Sequence, residues 1–582
     1  MKNWIKNTFT LPISHKLITF MYILGISAFY HDSAAALIKD GKVIAAAEEE
    51  RFSRVKHSFQ FPYASIEFCL REAGISIDEV DHVAYYEKTL LRFERVLDMI
   101  IKAYPFTLKP FVKGIPEWIN EKIKVEQKIR KKLKFKKNIF YIPHHISHAS
   151  ASYFASGFEN SAILTIDGIG EHQTTGLWMG KENKMEPLKQ IDFPDSIGLL
   201  YSTFTAFLGF RVNEDEYKVM GLAAYGNPIY THEIYKLIDT KEDGSFRLNL
   251  SYFRFREEFK MWSDEFEKLF GKPRIQTAKV TQKHKDIAAS IQLVTEEIYF
   301  KILNYLYLIT GSKNLCLGGG VALNALANGK IFSNTPFKRV YIIGPAGDGG
   351  NAMGAALFSY YNLLRSKERP LQIQNLYLGS GYSDEQIEKA LLKHSVNFEK
   401  INNEAELIKK TADLLAKGNV IGWFQGRMEY GPRALGARSI LANPQKKEMK
   451  ERVNKIKIRE LFRPFAGSIL KKNLNDYFDL QKNVYFSPFM VFCFVVKEKM
   501  RRNMASIVHE DFTCRVHSVD ESDGRYFKLI NEFYRITNIP ILLNTSFNLK
   551  GEPIVESPDQ AIEDFLKTSL NYLIIGNFIV SK

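Results

Sequence analysis

At 582 residues, with 45% apolar and 25% charged side chains, the chain has the composition of a folded globular protein of several domains, which excludes disordered and membrane-embedded classes. A formal charge of +15 points to polyanionic partners, whether nucleic acid, an acidic surface or phosphorylated small molecules, without choosing among them. Cys69, Cys316, Cys493 and Cys514 lie far apart and form no CxxC pair, so neither a disulfide scaffold nor a zinc ribbon is expected and a reducing, cytoplasmic setting is.

Leu17–Tyr30 follows Lys2, Lys6 and Lys16 like the core of a signal peptide. The same residues are needed as a first strand, so residues 1–20 are set apart as an extension and Met21 reads as a start. No other run reaches the ~18 apolar residues of a spanning helix.

Tyr22–Ser27 is predicted as a strand, Phe29–Ser33 as a polar turn carrying His31 and Asp32, and Ala34–Ile38 as a returning strand. Asp40-Gly41 is a hairpin signal, and Lys42–Ala47 completes a three-stranded meander. Pro62–Gly74 reads as a helix with proline near its start and glycine at its end. Residues 119–137 hold nine lysines and arginines at helical spacing. A solvated face is the favoured reading there, with a nucleic-acid or acidic-partner surface as the alternative.

His144 and His148 are spaced i,i+4, which on a helix puts both imidazoles on one face. The following apolar strand ends at Asp167-Gly168, and open α/β sheets place ligands at such carboxyl edges. Two imidazoles and a carboxylate suit iron, zinc or manganese better than magnesium or calcium. The bland alternative is a structural histidine pair. Ser161–Asp167, the turn Gly168–Glu171 and the returning strand Thr174–Met179 repeat the grammar of the first meander.

Residues 214–226, EDEYKVMGLAAYG, combine charge and glycine in a way no core helix requires, and residues 229–284 read as a variable insertion. Asp286–Leu308 is predicted as a long amphipathic helix. Leu315–Asn324 then runs a strand into Gly318, Gly319 and Gly320, where backbone N–H groups approach an anion closely. Val340–Ile343 leads in the same way into a glycine-rich turn bearing Asp348.

Residues 364–372, LRSKERPLQ, form a charged linker. Beyond it Gly426, Gly431 and Gly436 alternate with Arg427, Arg433 and Arg438, a loop suited to phosphate because guanidinium forks bind its oxygens bidentately. Lys457, Arg459, Arg463, Arg515 and the LLNTSFN run extend that basic, glycine-interleaved grammar.

GISAFYHDSAAAL, EEERFSRVKH, HHISHAS, DGIGE, EYKVMGLAAYG, LCLGGGVALN, GDGG, GRMEYGPRALGARSI, IKIRELFRPFA and LLNTSFN…GEPIV occur in that order. Together they resemble the carbamoyltransferase family that includes nodulation carbamoyltransferases and enzymes that carbamoylate antibiotics. The resemblance implies an α/β protein: a duplicated actin-like (ASKHA) domain over residues 21–365, a linker at 366–372, and a YrdC-like α/β domain over 373–582. It implies that the C-terminal domain makes carbamoyl adenylate from carbamoyl phosphate and ATP, with Mg2+ accompanying the nucleotide. An acceptor hydroxyl of a small molecule or sugar then takes the carbamoyl group at the metal site of the N-terminal domain.

By that resemblance His144, His148, Asp167 and Asp348 are expected to ligate a metal, Fe2+ ahead of other divalent ions. His31 is expected at the acyl-transfer centre, as base or as a binding group. Arg433, Lys457, Arg463, Arg515, Asn544 and Ser546 are expected to hold carbamoyl phosphate and adenylate, and Lys218, Gly319, Gly320 and Asn324 the nucleotide from the N-terminal side. Where the family carries glycine before the threonine of the Arg515 strand, this chain has Phe512, and a narrowed pocket is expected there. Two other functions stay open: formation of threonylcarbamoyladenosine on tRNA, favoured by the basic charge, and a non-catalytic nucleotide-binding regulator. A homo-oligomer leaves no mark to read.

Overall fold

The computed structural model describes residues 20–102, 112, 124–255, 260–366, 372–480 and 486–582. Most of the expected N-terminal extension and linker, and residues 119–123 of the lysine-rich run, lie outside the described residues.

Two sheets of five strands repeat one topology. In the first, β1 (Tyr22–Ser27), β2 (Ala34–Lys39) and β3 (Lys42–Glu48) form the meander, and β4 (His82–Tyr85) and β5 (Asn138–Tyr141) add in parallel, in the order β3-β2-β1-β4-β5. The second uses β6 (Asn160–Ile166), β7 (Gln173–Lys181) and β8 (Lys184–Asp192) as its meander. Past the small hairpin of β9 (Ile238–Thr240) and β10 (Phe246–Leu248), it is completed by β11 (Asn314–Gly318) and β12 (Arg339–Ile342). Its order, β8-β7-β6-β11-β12, has the same antiparallel and parallel pairings. This internal duplication is the actin-like arrangement expected from the sequence. Asp40 and Gly41 both have positive φ, 48° and 77°, as a two-residue hairpin requires.

The central strands are buried on both faces, which is why β1 and β6 read as continuous apolar runs rather than alternating ones. The helices His144–Tyr153 and Asn351–Phe358 lie between the sheets. Their approach is possible only because small residues meet: a Cβ on Gly354 would fall 2.0 Å from the Ser147 carbonyl oxygen. The expected helix at Asp286–Leu308 spans Gln282–Thr310.

The remaining chain forms a nine-stranded sheet. Its strands are β13 (Phe398–Lys400), β14 (Ile421–Phe424), β15 (Arg438–Ala442), β16 (Ala466–Leu470), β17 (Phe492–Val495), β18 (Thr513–Val519), β19 (Ile541–Ser546), β20 (Tyr572–Ile575) and β21 (Phe578–Ser581). They run β13-β21-β20-β14-β15-β19-β16-β18-β17.

The two parts are joined along their sheet edges. Ala46 of the edge strand β3 donates its N–H to the Leu378 carbonyl at 3.1 Å, and Arg427 Nη2 donates to the Ile44 carbonyl at 3.1 Å. At the far edge of the large sheet, the helix Ala325–Gly329 packs on β17 so tightly that a Cβ on Gly329 would lie 1.7 Å from the Cys493 carbonyl oxygen. Asn328 Nδ2 donates to the Val491 carbonyl at 3.0 Å beside it.

Candidate functional site

The helix carrying His144 and His148 begins at His144, and both side chains are buried at 2% and 1% exposure. One helical turn apart, their Nε2 atoms face each other at 3.0 Å. Asp167, just past the end of β6, places Oδ2 at 3.0 Å from His144 Nε2 and 3.5 Å from His148 Nε2. Asp348, in the turn after β12, places Oδ1 at 3.4 and 3.3 Å from the same two nitrogens. The four residues offer ligand atoms that all lie within 4.8 Å of one another.

This donor set fits a metal ion. Both oxygens of Asp348 are buried without a hydrogen-bond partner, an expensive arrangement for a carboxylate unless a cation completes it. Two facing imidazole nitrogens likewise cannot both donate, whereas both can ligate. Asp167 Oδ1 accepts the Gly320 N–H at 3.0 Å, which fixes the carboxylate with its other oxygen turned to the histidines. Burial alone would lower the His148 pKa, but the adjoining Asp167 and Asp348 carboxylates raise it to about 9. Burial would raise the Asp167 carboxyl, yet the bonds from His144 and His148 hold it well below the usual carboxylate range. The cluster therefore gathers the opposite charges that an ion would replace.

His31 lies beside it, with Nε2 at 3.6 Å from Asp348 Oδ2 and Nδ1 at 2.9 Å from Asp32 Oδ2. Although burial works to lower its pKa, the Asp348 charge and the Asp32 hydrogen bond raise it well above the ordinary histidine value.

A cavity of about 390 Å³ runs from this cluster into the C-terminal part. His31, Asp32, Asp167 and Asp348 line it at one end, and Arg433, Arg459, Arg463, Arg515, Asn544 and Ser546 at the other. Lys218, Gly320 and Asn324 line it as well. Two arginines there have nitrogen atoms awaiting an acceptor: Arg433 Nε and Arg515 Nε are buried and carry no hydrogen bond, and neither does Asn544 Oδ1. Burial, and then the neighbouring Arg515 charge, bring Arg433 down to about 9. Burial also lowers Arg515. Such uncompensated cations are what an anionic ligand stabilises.

The sequence singled out several residues that play different parts. Lys457 is absent from the cavity wall; its buried ammonium donates to the Ser546 carbonyl, to the Asn548 carbonyl at 3.0 Å and to Asn548 Oδ1 at 2.9 Å. Burial and the adjacent Arg459 and Arg463 charges lower its pKa well below the usual lysine value. It braces the Ser546–Asn548 loop. Gly319 is also behind the wall, with φ of 91° and packed on the Ile166 backbone. Lys218 Nζ is 2.9 Å from Asp215 and 3.4 Å from Glu460, bridging the two parts.

Phe512 does not narrow the cavity. Its φ of 61° lies in the left-handed region, which favours glycine. Its ring is 51% exposed and stacks under Arg501 at 3.9 Å. The lysine-rich helix, Val125–Leu133, turns Lys128 over Phe29 at 5.0 Å and Lys132 over Tyr63 at 4.6 Å.

Sequence reasoning passed over Arg51, Tyr430 and His57. Arg51 is 1% exposed, pairs with Glu48 at 3.2 Å and donates to the Gly431 carbonyl. Tyr430 donates its hydroxyl to the Gly349 carbonyl. Both sit inside motifs already recognised, EEERFSRVKH and GRMEYGPRALGARSI, but their role depends on contacts across more than 80 residues that no local pattern announces.

Among the described residues no helix is long and apolar enough to cross a membrane. Residues 22–357 match the carbamoyltransferase N-terminus family and residues 412–582 the carbamoyltransferase C-terminus family. The chain is 42% identical to the Synechocystis uncharacterized protein sll1178, over 96% of this chain and 97% of that one. It is 38% identical to the nodulation protein NolNO of Sinorhizobium fredii, over 96% and 80% of the two chains. Among solved structures, T. kodakarensis HypF aligns with 59% of this chain and 48% of its own at 15% identity and a TM-score of 0.30. With both family matches spanning the two parts that share the cavity, the chain belongs to the carbamoyltransferase family and is a transferase enzyme.

Proposed function

We propose that the protein is an ATP-dependent O-carbamoyltransferase that activates its carbamoyl group as an adenylate in the C-terminal part and delivers it to a hydroxyl of a small-molecule or sugar acceptor beside the His144–Asp348 cluster. One observation carries this reading: the basic wall and the two carboxylates of the cluster, Asp167 and Asp348, line a single cavity together with His31.

In the first step carbamoyl phosphate loses its phosphate to water, and the resulting carbamate oxygen attacks the α-phosphorus of ATP with pyrophosphate leaving. Arg433, Arg463 and Arg515 supply fixed positive charge to oxygens on which negative charge accumulates. The Asn544 amide donates to the Ala434 carbonyl at 3.0 Å, holding the Arg433 loop against β19. Lys457 keeps the Ser546–Asn548 loop in place from behind.

In the second step the acceptor oxygen bonds to the carbamoyl carbon, AMP leaves with the bonding electron pair, and the hydroxyl proton moves to His31 Nε2. A divalent metal, Fe2+ by the family resemblance and with His144, His148, Asp167 and Asp348 as its holders, would supply Lewis-acid stabilisation of charge at the adenylate. Lys218, Gly320 and Asn324 share the cavity wall and hold the nucleotide from the N-terminal side. Mg2+ accompanies ATP as co-substrate. The four free, buried cysteines support a cytoplasmic setting.

The test is an acceptor-free assay of pyrophosphate release from ATP and carbamoyl phosphate. Wild type and His144→Ala should both release it, while Arg433→Ala should not. Loss in His144→Ala but not in Arg433→Ala would overturn the division of labour.

A further inference from the structure

Asp32 is held between two histidines. Its Oδ2 is 2.9 Å from His31 Nδ1 and its Oδ1 is 2.7 Å from His57 Nδ1. All three residues line the cavity at its metal-cluster end. The arrangement is built by the backbone as well as by the side chains. Ser33 N–H donates to the Ser58 carbonyl and Phe29 N–H to the Phe59 carbonyl, both at 2.9 Å, tying the His31 turn to the His57 loop. The His57 N–H donates to Glu50 Oε2 at 2.8 Å. Asp32 and His57 each have φ of 54°, a left-handed conformation that non-glycine residues keep only where the surroundings over-determine it.

A carboxylate that accepts from Nδ1 fixes the neutral imidazole in the Nδ1–H tautomer, and once a cation on Asp348 offsets the charge that favours the imidazolium, the Nε2 lone pair is free. In His31 that lone pair is on the side of Asp348. We propose that Asp32 is a positioning residue of the transfer step, and that His57 anchors it. Together they hold His31 as the acceptor of the hydroxyl proton. This rests on the carbamoyl-transfer reading given above.

The step balances. The acceptor O–H bond breaks and its proton goes to His31 Nε2; the oxygen bonds to the carbamoyl carbon; the bond from that carbon to the AMP phosphate oxygen breaks, and AMP departs with the electron pair. Asp32 stays ionised and stabilises the imidazolium, while His57 keeps the second carboxylate oxygen from rotating away. Ligand atoms of Asp32, Glu50 and His57 also lie within 4.8 Å of one another, so a cation held by these three is the competing explanation.

The experiment separates these. Pyrophosphate release without acceptor is measured first, so failure of the underlying reading shows itself there. Full-length enzyme supplied with ATP and carbamoyl phosphate is then offered glycerol as a hydroxyl probe, or hydroxylamine, whose attack at neutral pH requires no general base. Asp32→Asn is expected to slow O-carbamoylation of glycerol by roughly 10²-fold in kcat, with KM unchanged, by the usual worth of a general base in its correct tautomer. Hydroxyurea formation from hydroxylamine should stay near wild type. His57→Gln should change the same ratio in the same direction by about tenfold or less. An equal fall with both probes would overturn the proposal in favour of a structural role. A rise in glycerol KM with kcat intact would overturn it in favour of acceptor binding. Loss of bound metal from either variant would overturn it in favour of a cation site.

Discussion

The hydroxyl of Tyr430, in the arginine-bearing loop of the C-terminal part, donates to the carbonyl of Gly349, the residue after Asp348. The loop expected to hold the donor thus touches the turn expected to hold the metal. Removing that hydroxyl leaves a buried carbonyl without its donor, at a cost of about 1–2 kcal/mol. Tyr430→Phe should therefore slow carbamoyl transfer by about tenfold while leaving acceptor-free pyrophosphate release within about twofold. Parallel rate measurements on the two half-reactions check this; an equal effect on both would show the contact to be merely structural.

Arg433 is buried beside Arg515 with an unpartnered Nε. Its charge costs stability until an anion arrives, so Arg433→Met should raise the ligand-free melting point by an amount worth about 1–2 kcal/mol. The variant should also lose the stabilisation that pyrophosphate confers on wild type. Thermal unfolding with and without pyrophosphate reads both effects.

His148→Ala removes one of four converging donors and leaves Asp348 without an imidazole neighbour on that side. Metal affinity should fall by about 100-fold or more, as loss of a direct ligand exceeds the 10–100-fold cost of losing an outer partner. Wild type should be stabilised by Fe2+ or Mn2+ in a concentration-dependent way that the variant lacks. Metal content after dialysis and melting curves with added ion are the measurements.

Burial, and then the nearby Glu552 charge, raise the Asp564 carboxyl to about 7. A carboxyl whose folded value exceeds its unfolded one favours folding below about pH 4, and that contribution is lost as pH rises through about 7. Asp564→Asn removes the titration. The variant should gain about 2 kcal/mol relative to wild type between pH 5 and pH 8. Denaturant unfolding at the two pH values tests this, and a difference that does not change with pH would sink it.

Much of the architecture was legible because period, turn chemistry and duplication agree. Asp40-Gly41 announced the hairpin, and the repeated meander announced the duplication that the two strand orders display. The i,i+4 spacing of His144 and His148 announced a shared helix face. What stayed hidden depends on approaches distant in sequence. Nothing around Lys457 shows that its ammonium is occupied by Ser546 and Asn548, and a cationic residue in a phosphate-like motif reads the same whether it faces the cavity or braces it. Phe512 read as a plug because size is visible in a sequence and φ is not.

The contacts along β3 and β17 bear on how the chain avoids association with itself. Each is the outermost strand of its sheet, and exposed strand edges are templates for pairing with other chains. Leu378 and Arg427 meet the edge of the first sheet, while the helix Ala325–Gly329 meets the edge of the last. Each half shields an aggregation-prone margin of the other. A fragment ending between them should accumulate in inclusion bodies even where its own core can form, and a nascent chain becomes safe from misassociation only once both halves have been synthesised.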